Sequence, residues 1–462
     1  MTKLFSTNPA KNYEVLGEVE ISTEDQIKEK VQKAQSAKNS WKSLGVTGRV
    51  KLLRKVVDKI DKRKADLALL ATKEMGMPIT QSKFDAEDAI RYFTWYFDNA
   101  SKYLSPEMVY EDEKVVHKVF YEPVGVAAVI TPWNFPLSNF VWGAGQNLIA
   151  GNTVVFKHSE ECPLFGKMLE DIINSSGLPA GVFSEVYGDG KTGDLLVHQD
   201  INLISFTGST KVGKYLYGVA AEKFIKAVLE MGGSAPGVVF EDADLDKVTE
   251  TMYANRFTNC GQMCDALKRL LVHESVFDEV VARLKKHLES VKVGNPEDEK
   301  TNIGPLVAKR QLELLEEQVE DAKNKGAKVI IGGKRLEKLK GAFYEPTILT
   351  NVSKGMRVWQ EEVFGPVLPV VSFRTEEEAI KSANDTKYGL GSYVFTKDKE
   401  KAERVASWIE SGMVSINNAS YLQPCSPFGG YKESGMGREH GKFGFSELTQ
   451  AKVVAIEKQY ER

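Results

Sequence analysis

The sequence predicts an α/β protein made of two doubly wound, parallel-sheet domains with a small extra β element, and three observations predict it. From Thr153 onward, short apolar runs alternate with helical stretches, the pattern of a parallel sheet covered by helices. The alternation restarts after Gly232-Gly233, which marks a second block and a glycine hinge. A length of 462 residues suits two or three domains at roughly 100–200 residues each.

The elements follow in chain order. The first 110 residues read as helices. Ser22 to Asp25 has the form of a capping box, with Ile27, Val31 and Ala34 after it at helical spacing. Val50, Leu53, Val57 and Ile60 form a second stripe, expected to stop at Gly76 with Pro78 beyond. Residues 115–130 are β-branched and aromatic and read as strands. Strands are then expected at 153–156, 183–187, 203–207 and 225–229, with helices at 162–176, 192–198 and 211–222 between them. The second block repeats the scheme with strands at 237–240, 269–273 and 328–331. Its helices are expected near 244–258, 276–291 and 306–325.

Charge and cysteine usage narrow the function. The 61 Lys and Arg are balanced by 64 Asp and Glu, well mixed, with no basic run that could track a phosphate backbone. Neither a nucleic-acid nor a membrane partner is expected. The four cysteines (Cys162, Cys260, Cys264, Cys425) contain no CxxC, which argues against a disulfide scaffold or a cysteine-ligated metal. The N-terminal MTKLFSTNPAKNYE has no charged-then-apolar leader, so a cytoplasmic setting is expected. Between Glu122 and Lys157, 34 consecutive residues carry no formal charge. That is long enough to raise a membrane span. Pro132, Pro136, Asn134, Asn139, Gln146 and Asn147 interrupt it, and lone amides are costly in lipid. A segment buried in a soluble protein, its polar residues kept for a purpose, is the better expectation.

Three strand ends could serve a nucleotide. GDGKTG at 188–193 is a literal GxGxxG between strand and helix, but any short strand-to-helix turn uses such glycines, and no ribose-binding acid follows at the required spacing. Lys157 and Glu160 follow the 153–156 strand and could reach ribose hydroxyls or a phosphate. FTGSTKVG at 206–213 offers hydroxyls and free amides at a helix N-terminus, suited to a pyrophosphate, although Ser209 and Thr210 would serve equally as an ordinary cap. Three such ends on one edge favour a nucleotide.

NCGQMC at 259–264 lies in a loop, where a cysteine is either an exposed nucleophile or an inert filler. None of the six histidines sits in a motif that identifies a hydrolase partner. Glu230, at a strand end and at the hinge, is either a general base with a raised pKa or a carboxylate that binds backbone amides.

Six segments carry a family resemblance: PWNFP at 132–136, FTGST at 206–210, LEMGG at 229–233, GQMC at 261–264, EEVFGP at 361–366 and PFGGYK at 427–432. In this order they resemble the signature segments of the NAD(P)-dependent aldehyde dehydrogenase superfamily, and the likeness runs from about residue 8 to the C-terminus. The resemblance implies two Rossmann-like domains with a small β oligomerisation extension. Residues 1–110 and 124–232 would bind NAD(P), residues 233–435 would carry the nucleophile, and 111–123 with 436–462 would supply oligomerisation strands and tail. A homodimer or homotetramer is expected.

The resemblance also implies a mechanism. Cys264 would attack the aldehyde carbonyl, and the Asn134 amide with the Cys264 backbone N–H would hold the oxyanion. Hydride would leave for the nicotinamide, and Glu230 would activate water against the resulting thioester. Cofactor binding would fall to Thr131, Trp133, Lys157, Ser159, Glu160, Thr207, Gly208, Ser209, Gly213, Glu362 and Phe364. Among these, Lys157 and Glu160 would hold the adenosine ribose and Ser209 the pyrophosphate. Glu362 would hold the nicotinamide ribose, and Phe364 would pack beside the ring. Glu160 would repel a 2′-phosphate, so NAD is favoured with NADP possible, and the GxGxxG becomes a mere turn.

The chain looks closest to the short succinate-semialdehyde dehydrogenase-like branch, through KHSE at 157–160 and MGGSAP at 231–236, which makes succinate semialdehyde the lead substrate. Where that branch often has an arginine, this chain has Trp142. Trp142 and Cys425 are expected in the substrate pocket. Trp142 cannot pair bidentately with a carboxylate, so an anionic substrate would need Arg269, Lys268 or a residue of 420–426. A neutral aldehyde is the alternative. An acyl-CoA-forming enzyme and a non-catalytic NAD-binding relative are the remaining readings, opposed respectively by Glu230 and by the set of Cys264, Glu230 and Asn134. Cys260 is either a partner for a reversible disulfide with Cys264 or a small bystander.

Overall fold

The computed structural model describes residues 2–460; residues 1, 461 and 462 of the expected domain segments lie outside the described residues. The chain opens with an antiparallel hairpin, Lys3–Asn8 against Glu14–Glu20, and not with helix. Its strands show one-sided, weak alternation, which the long helices after them overshadow. Helices Glu24–Ser43, Gly45–Met75 and Ile79–Leu104 follow. The first is capped one residue later than expected. Thr23 Oγ1 accepts from the Gln26 N–H while the Gln26 side chain accepts from the Thr23 N–H, because the amide at N3 completes the reciprocal pair. The second ends at Gly76 as expected, in the left-handed conformation (φ 80°).

The first large sheet has six strands in the order Gly435–Met436, Lys226–Glu230, Leu203–Thr207, Val126–Ile130, Thr153–Lys157, Phe183–Glu185. All are parallel except the first. Strand 126–130 is the switch point, since the chain leaves it first toward 153–157 and later returns on its other side at 203–207. Crevices of this kind, at the carboxyl ends of the strands, are where such sheets bind ligands.

The second sheet has seven strands in the order Lys328–Ile331, Thr347–Thr350, Val367–Phe373, Leu267–His273, Ala235–Val239, Tyr393–Phe395, Ser415–Ile416, antiparallel only at 328–331. A third, antiparallel sheet joins Thr449–Glu457, Val115–Pro123 and Glu107–Glu111. It carries exposed Met108, Val109, Tyr110 and Val453.

The uncharged stretch supplies the central strand 126–130 and then the interrupted helical run Pro136–Phe140, Val141–Gly145 and Gln146–Ala150, almost wholly buried. The middle piece is a π-helical turn. Such a turn frees backbone carbonyls, and Asn147 Nδ2 answers one by donating to the Gly143 carbonyl at 2.8 Å. Among the described residues no helix is long and apolar enough to cross a membrane.

Candidate active site

The polypeptide passes from the first sheet to the second through residues 231–234, directly after Glu230. The Glu230 side chain is buried and neither carboxyl oxygen has a hydrogen-bond partner. It lies instead against a bare glycine, since a Cβ on Gly429 would sit 2.7 Å from Oε1. The hinge reading, a carboxylate bound to backbone amides, is therefore not what this side chain does. Burial pushes its pKa well above the ordinary carboxyl value; nearby Glu439 adds to the shift and Arg438 opposes it.

Cys264 lies beyond a strained turn. Asn259, Cys260 and Gly261 all take left-handed backbone, with φ of 50°, 55° and 74°. Two non-glycine residues in that region persist only where surrounding bonds over-determine them. Here the Asn259 N–H donates to Gln81 Oε1 at 2.8 Å and Asn259 Nδ2 donates to the Asn134 carbonyl at 2.8 Å. Asn134 Nδ2 in turn donates to the Gln262 carbonyl at 3.1 Å. The turn after strand 126–130 and the cysteine loop are thus stitched together, and Asn134 meets the loop that carries Cys264.

Of the four thiols, Cys162 and Cys260 are buried, Cys264 is half-buried and Cys425 is exposed in the 420–426 loop. Cys264 and Tyr421 pack against an apolar cluster of Leu390, Met413 and Phe428. Burial pushes the Cys264 thiol well up; Asp265 adds to this and Lys268 opposes it. Cys264 is therefore held as a thiol, and would need a base or a nearby positive charge to ionise.

The expected cofactor residues fall into two groups facing the switch point. On the first sheet, the Thr131 N–H donates to the Lys157 carbonyl at 3.1 Å, and the buried Thr131 hydroxyl has no partner. Lys157 is buried, which lowers its pKa, and its Nζ lies 4.0 Å from Glu160, which also pairs with Arg310 at 3.7 Å. Ser159 is buried and its Oγ accepts from the Glu161 N–H at 3.3 Å. Thr207 ends its strand, and the Gly208 N–H donates to the Glu230 carbonyl at 2.9 Å. Ser209 caps the helix Thr210–Lys223 by accepting from the Val212 N–H at 3.4 Å. On that helix, a Cβ at Gly213 would lie 2.1 Å from the Met231 sulfur.

On the second sheet's side, Glu362 Oε1 accepts from Lys268 Nζ at 2.5 Å and from the Gly233 N–H at 3.1 Å. Phe364 meets Trp133 edge to face at 5.7 Å, with Lys268 Nζ 5.2 Å from its ring centre. An orphaned hydroxyl at Thr131, a helix N-terminus at 209–210 and a carboxylate at Glu362 fit a dinucleotide laid across the crevice. The GxGxxG, by contrast, closes on itself. Asp189 caps the helix Gly190–Val197 by accepting from the Lys191 N–H at 2.9 Å.

Trp142 sits in the π-helical turn, half-buried, with its ring N–H buried and unpartnered. Its ring is 5.7 Å from Tyr92, 5.1 Å from His440 and 6.1 Å from Phe428. The last contact places it one ring from the Cys264 cluster. Two expectations are corrected here. Arg269 cannot meet a substrate, because it is fully buried and donates to the carbonyls of Ser234, Ser382 and Ala383. Lys268 is equally committed, donating to Gly233 and Cys264 carbonyls at 2.9 and 2.8 Å as well as to Glu362. A cation in a central strand has to spend its donors on nearby backbone. Asn139 and Asp265 lie outside the six segments yet stand beside Asn134 and Cys264, and Gln262, inside GQMC, meets Asn134 through its backbone carbonyl; only the folded positions bring these three to the site.

A cysteine, an amide and a buried carboxyl stand beside a crevice of the kind in which α/β sheets bind nucleotides, a set of groups suited to the oxidation of a carbonyl compound. The sequence profile of the aldehyde dehydrogenase family matches residues 2–454. The chain is 40% identical to human (Homo sapiens) retinaldehyde dehydrogenase 3 over 98% of this chain and 90% of that protein. It is 38% identical to the mitochondrial succinate-semialdehyde dehydrogenase of Oryza sativa subsp. japonica, over 97% and 85%. A crystal structure of Staphylococcus aureus betaine aldehyde dehydrogenase in complex with NAD+ superposes with a TM-score of 0.94 at 35% identity, covering 100% of this chain and 93% of that one. The chain belongs to the aldehyde dehydrogenase family and is an NAD(P)-dependent oxidoreductase of aldehydes.

Proposed function

We propose that this enzyme oxidises aldehydes that lack a carboxylate to their acids, through Cys264, Asn134 and Glu230. The observation that carries the substrate class is the wall around Cys264: Leu390, Met413 and Phe428 with Tyr421, next to Trp142 and the acidic Asp265. Lys268 and Arg269, the nearest cations in sequence, are spent on other groups. An anionic tail would meet the Asp265 carboxyl there, with neither Lys268 nor Arg269 left to neutralise it.

In this reading the Cys264 thiol gives up its proton to solvent and the sulfur, as thiolate, adds to the carbonyl carbon. The Asn134 amide and the Cys264 backbone N–H receive the oxygen, a stabilisation worth about 3 kcal/mol for one such donor. The bound nicotinamide supplies the acceptor for the hydride lost from that carbon. Glu230, its oxygens unpaired, takes a proton from water as the water attacks the thioester, which returns the Cys264 thiolate and releases the acid. Water activation by Glu230 favours this over transfer to coenzyme A. Lys157 and Glu160 hold the adenosine ribose, Ser209 the pyrophosphate and Glu362 the second ribose, with NAD preferred. The two large sheets correspond to a cofactor domain and a catalytic domain. The exposed edges of the three-stranded sheet pair subunits into a dimer or tetramer.

One observation favours a second reading, with succinate semialdehyde as substrate. Arg91 Nη1 reaches Gln423 Oε1 of the 420–426 loop at 3.5 Å and its guanidinium lies 4.9 Å from the Tyr92 ring centre. Comparing kcat/KM for propanal, benzaldehyde and succinate semialdehyde separates the two. Neutral substrates ahead by at least about tenfold support the first; a lead for succinate semialdehyde that Arg91→Ala removes replaces it with the second.

A further inference from the structure

We propose that Asn139 is a positioning residue that, by donating to Asn134 Oδ1 while the Gln262 carbonyl accepts from Asn134 Nδ2, holds the Asn134 amide one way round. The inference rests on the reading of Asn134 as the oxyanion donor. A primary amide has two ends of nearly equal shape and opposite polarity. It stabilises an oxyanion only if nitrogen faces it, and repels one if oxygen does.

A one-way chain of hydrogen bonds makes the choice. Asn139 Nδ2 donates to the Pro132 carbonyl at 3.5 Å and to Asn134 Oδ1 at 3.2 Å. Asn134 Nδ2 donates to the Gln262 carbonyl at 3.1 Å. Backbone carbonyls only accept, so both ends of the chain are fixed in sense. Pro132 demands the nitrogen of Asn139, that nitrogen demands the oxygen of Asn134, and the nitrogen of Asn134 is left facing the cysteine loop. An amide nitrogen has two N–H groups; one goes to Gln262, and the second is available to the substrate oxygen.

Both side chains are buried, at 5% and 4% exposure, so water offers no substitute donor. The five-residue separation is set by the turn entering helix Pro136–Phe140, where the Asn139 N–H donates to the Phe135 carbonyl at 2.8 Å. That turn is anchored from outside by Ser138 Oγ donating to Asp85 at 2.5 Å. Asn139 does not itself reach the nucleophile, and acts only through Asn134.

The test compares Asn134→Ala, Asn139→Leu and Asn139→Asp in the full chain. The readouts are kcat and KM for aldehyde and NAD, single-turnover NADH formation, and thermal melts. Asn139→Leu is expected to lower kcat and the single-turnover rate about tenfold, with KM for NAD unchanged. Asn139→Asp is nearly isosteric and gives a distinct signature. Its protonated carboxyl can still donate to Asn134 Oδ1, whereas the ionised form accepts and draws the Asn134 nitrogen away. Its activity relative to the native enzyme should therefore fall as pH rises from 6 to 9, which no loss of packing would produce. A native kcat in Asn139→Leu, or a native pH profile in Asn139→Asp, overturns the proposal, and Asn139→Asp alone decides it should the leucine variant not fold. Asn134→Ala at native rate overturns the reading of Asn134 itself.

Discussion

Buried Lys268 and partly exposed Glu362 form an ion pair at 2.5 Å, and the same ammonium donates to the carbonyls of Gly233 and Cys264. One side chain thus ties the Cys264 loop, the inter-sheet crossing and the carboxylate proposed for the cofactor ribose. Lys268→Met leaves Glu362 without its cation. The stranded carboxylate is partly solvated and keeps the Gly233 N–H, so the cost is below the roughly 3 kcal/mol of a fully buried pair. Urea unfolding should show that loss, and KM for NAD should rise. Adding Glu362→Gln removes the stranded charge, so the double variant should recover part of the stability and none of the cofactor affinity.

Burial lifts the Glu439 carboxyl to about 7, and Glu439 in turn raises the pKa of Glu230. An acid with a raised folded-state pKa stabilises the fold below its unfolded value and loses that contribution as pH climbs through the folded one. The shift from 4.5 to about 7 corresponds to roughly 3 kcal/mol. Glu439→Gln should flatten the decline in stability between pH 4.5 and 7 seen in denaturant titrations. With the neighbouring charge gone, the ascending limb of the kcat–pH profile, which the proposed water activation ties to ionisation of Glu230, should move to lower pH. An unmoved limb would mean the two carboxyls do not communicate.

The thiols differ in access. Iodoacetamide should reach exposed Cys425 and half-buried Cys264 in the native enzyme, and Cys162 and Cys260 only in denaturant. Loss of activity should follow alkylation of Cys264, located by peptide mass mapping. Cys260 is buried and its thiol is pushed up by burial, so mild peroxide should produce no paired loss of Cys260 and Cys264.

Glu160 sits between Lys157 at 4.0 Å and Arg310 at 3.7 Å. Glu160→Gln removes the charge that would oppose a 2′-phosphate and leaves two cations beside it. The ratio of kcat/KM for NADP to that for NAD should rise at least about tenfold. An unchanged ratio would detach Glu160 from cofactor choice.

Much of the architecture was legible because strand and helix periods differ. The strand at Leu203–Thr207 and the stop at Gly76 follow from local chemistry alone, and the motifs located Cys264, Glu230 and Asn134 as candidates. What failed was non-local. The hairpin Lys3–Glu20 is held by pairing across a turn and was hidden by the helical signal after it. Lys268 and Arg269 looked like free cations because nothing in their neighbours says that Leu267–His273 is the central strand of a seven-stranded sheet. Asn139 was visible only as an interruption of an apolar run. Its partner lies five residues away across a turn whose shape depends on Asp85, far off in the chain.

The π-helical turn Val141–Gly145 separates the helical segment bearing Asn139 from the one bearing Asn147. A turn closed by i→i+5 bonds takes up one residue more than an α turn does, so the helix before it and the helix after it keep nearly the phase of regular winding. What the extra residue changes is local: Trp142, inside the turn, owes to it the place from which its ring meets Phe428 and His440. Excising it should therefore re-aim the tryptophan while leaving Asn139 and Asn147 on the faces they now occupy.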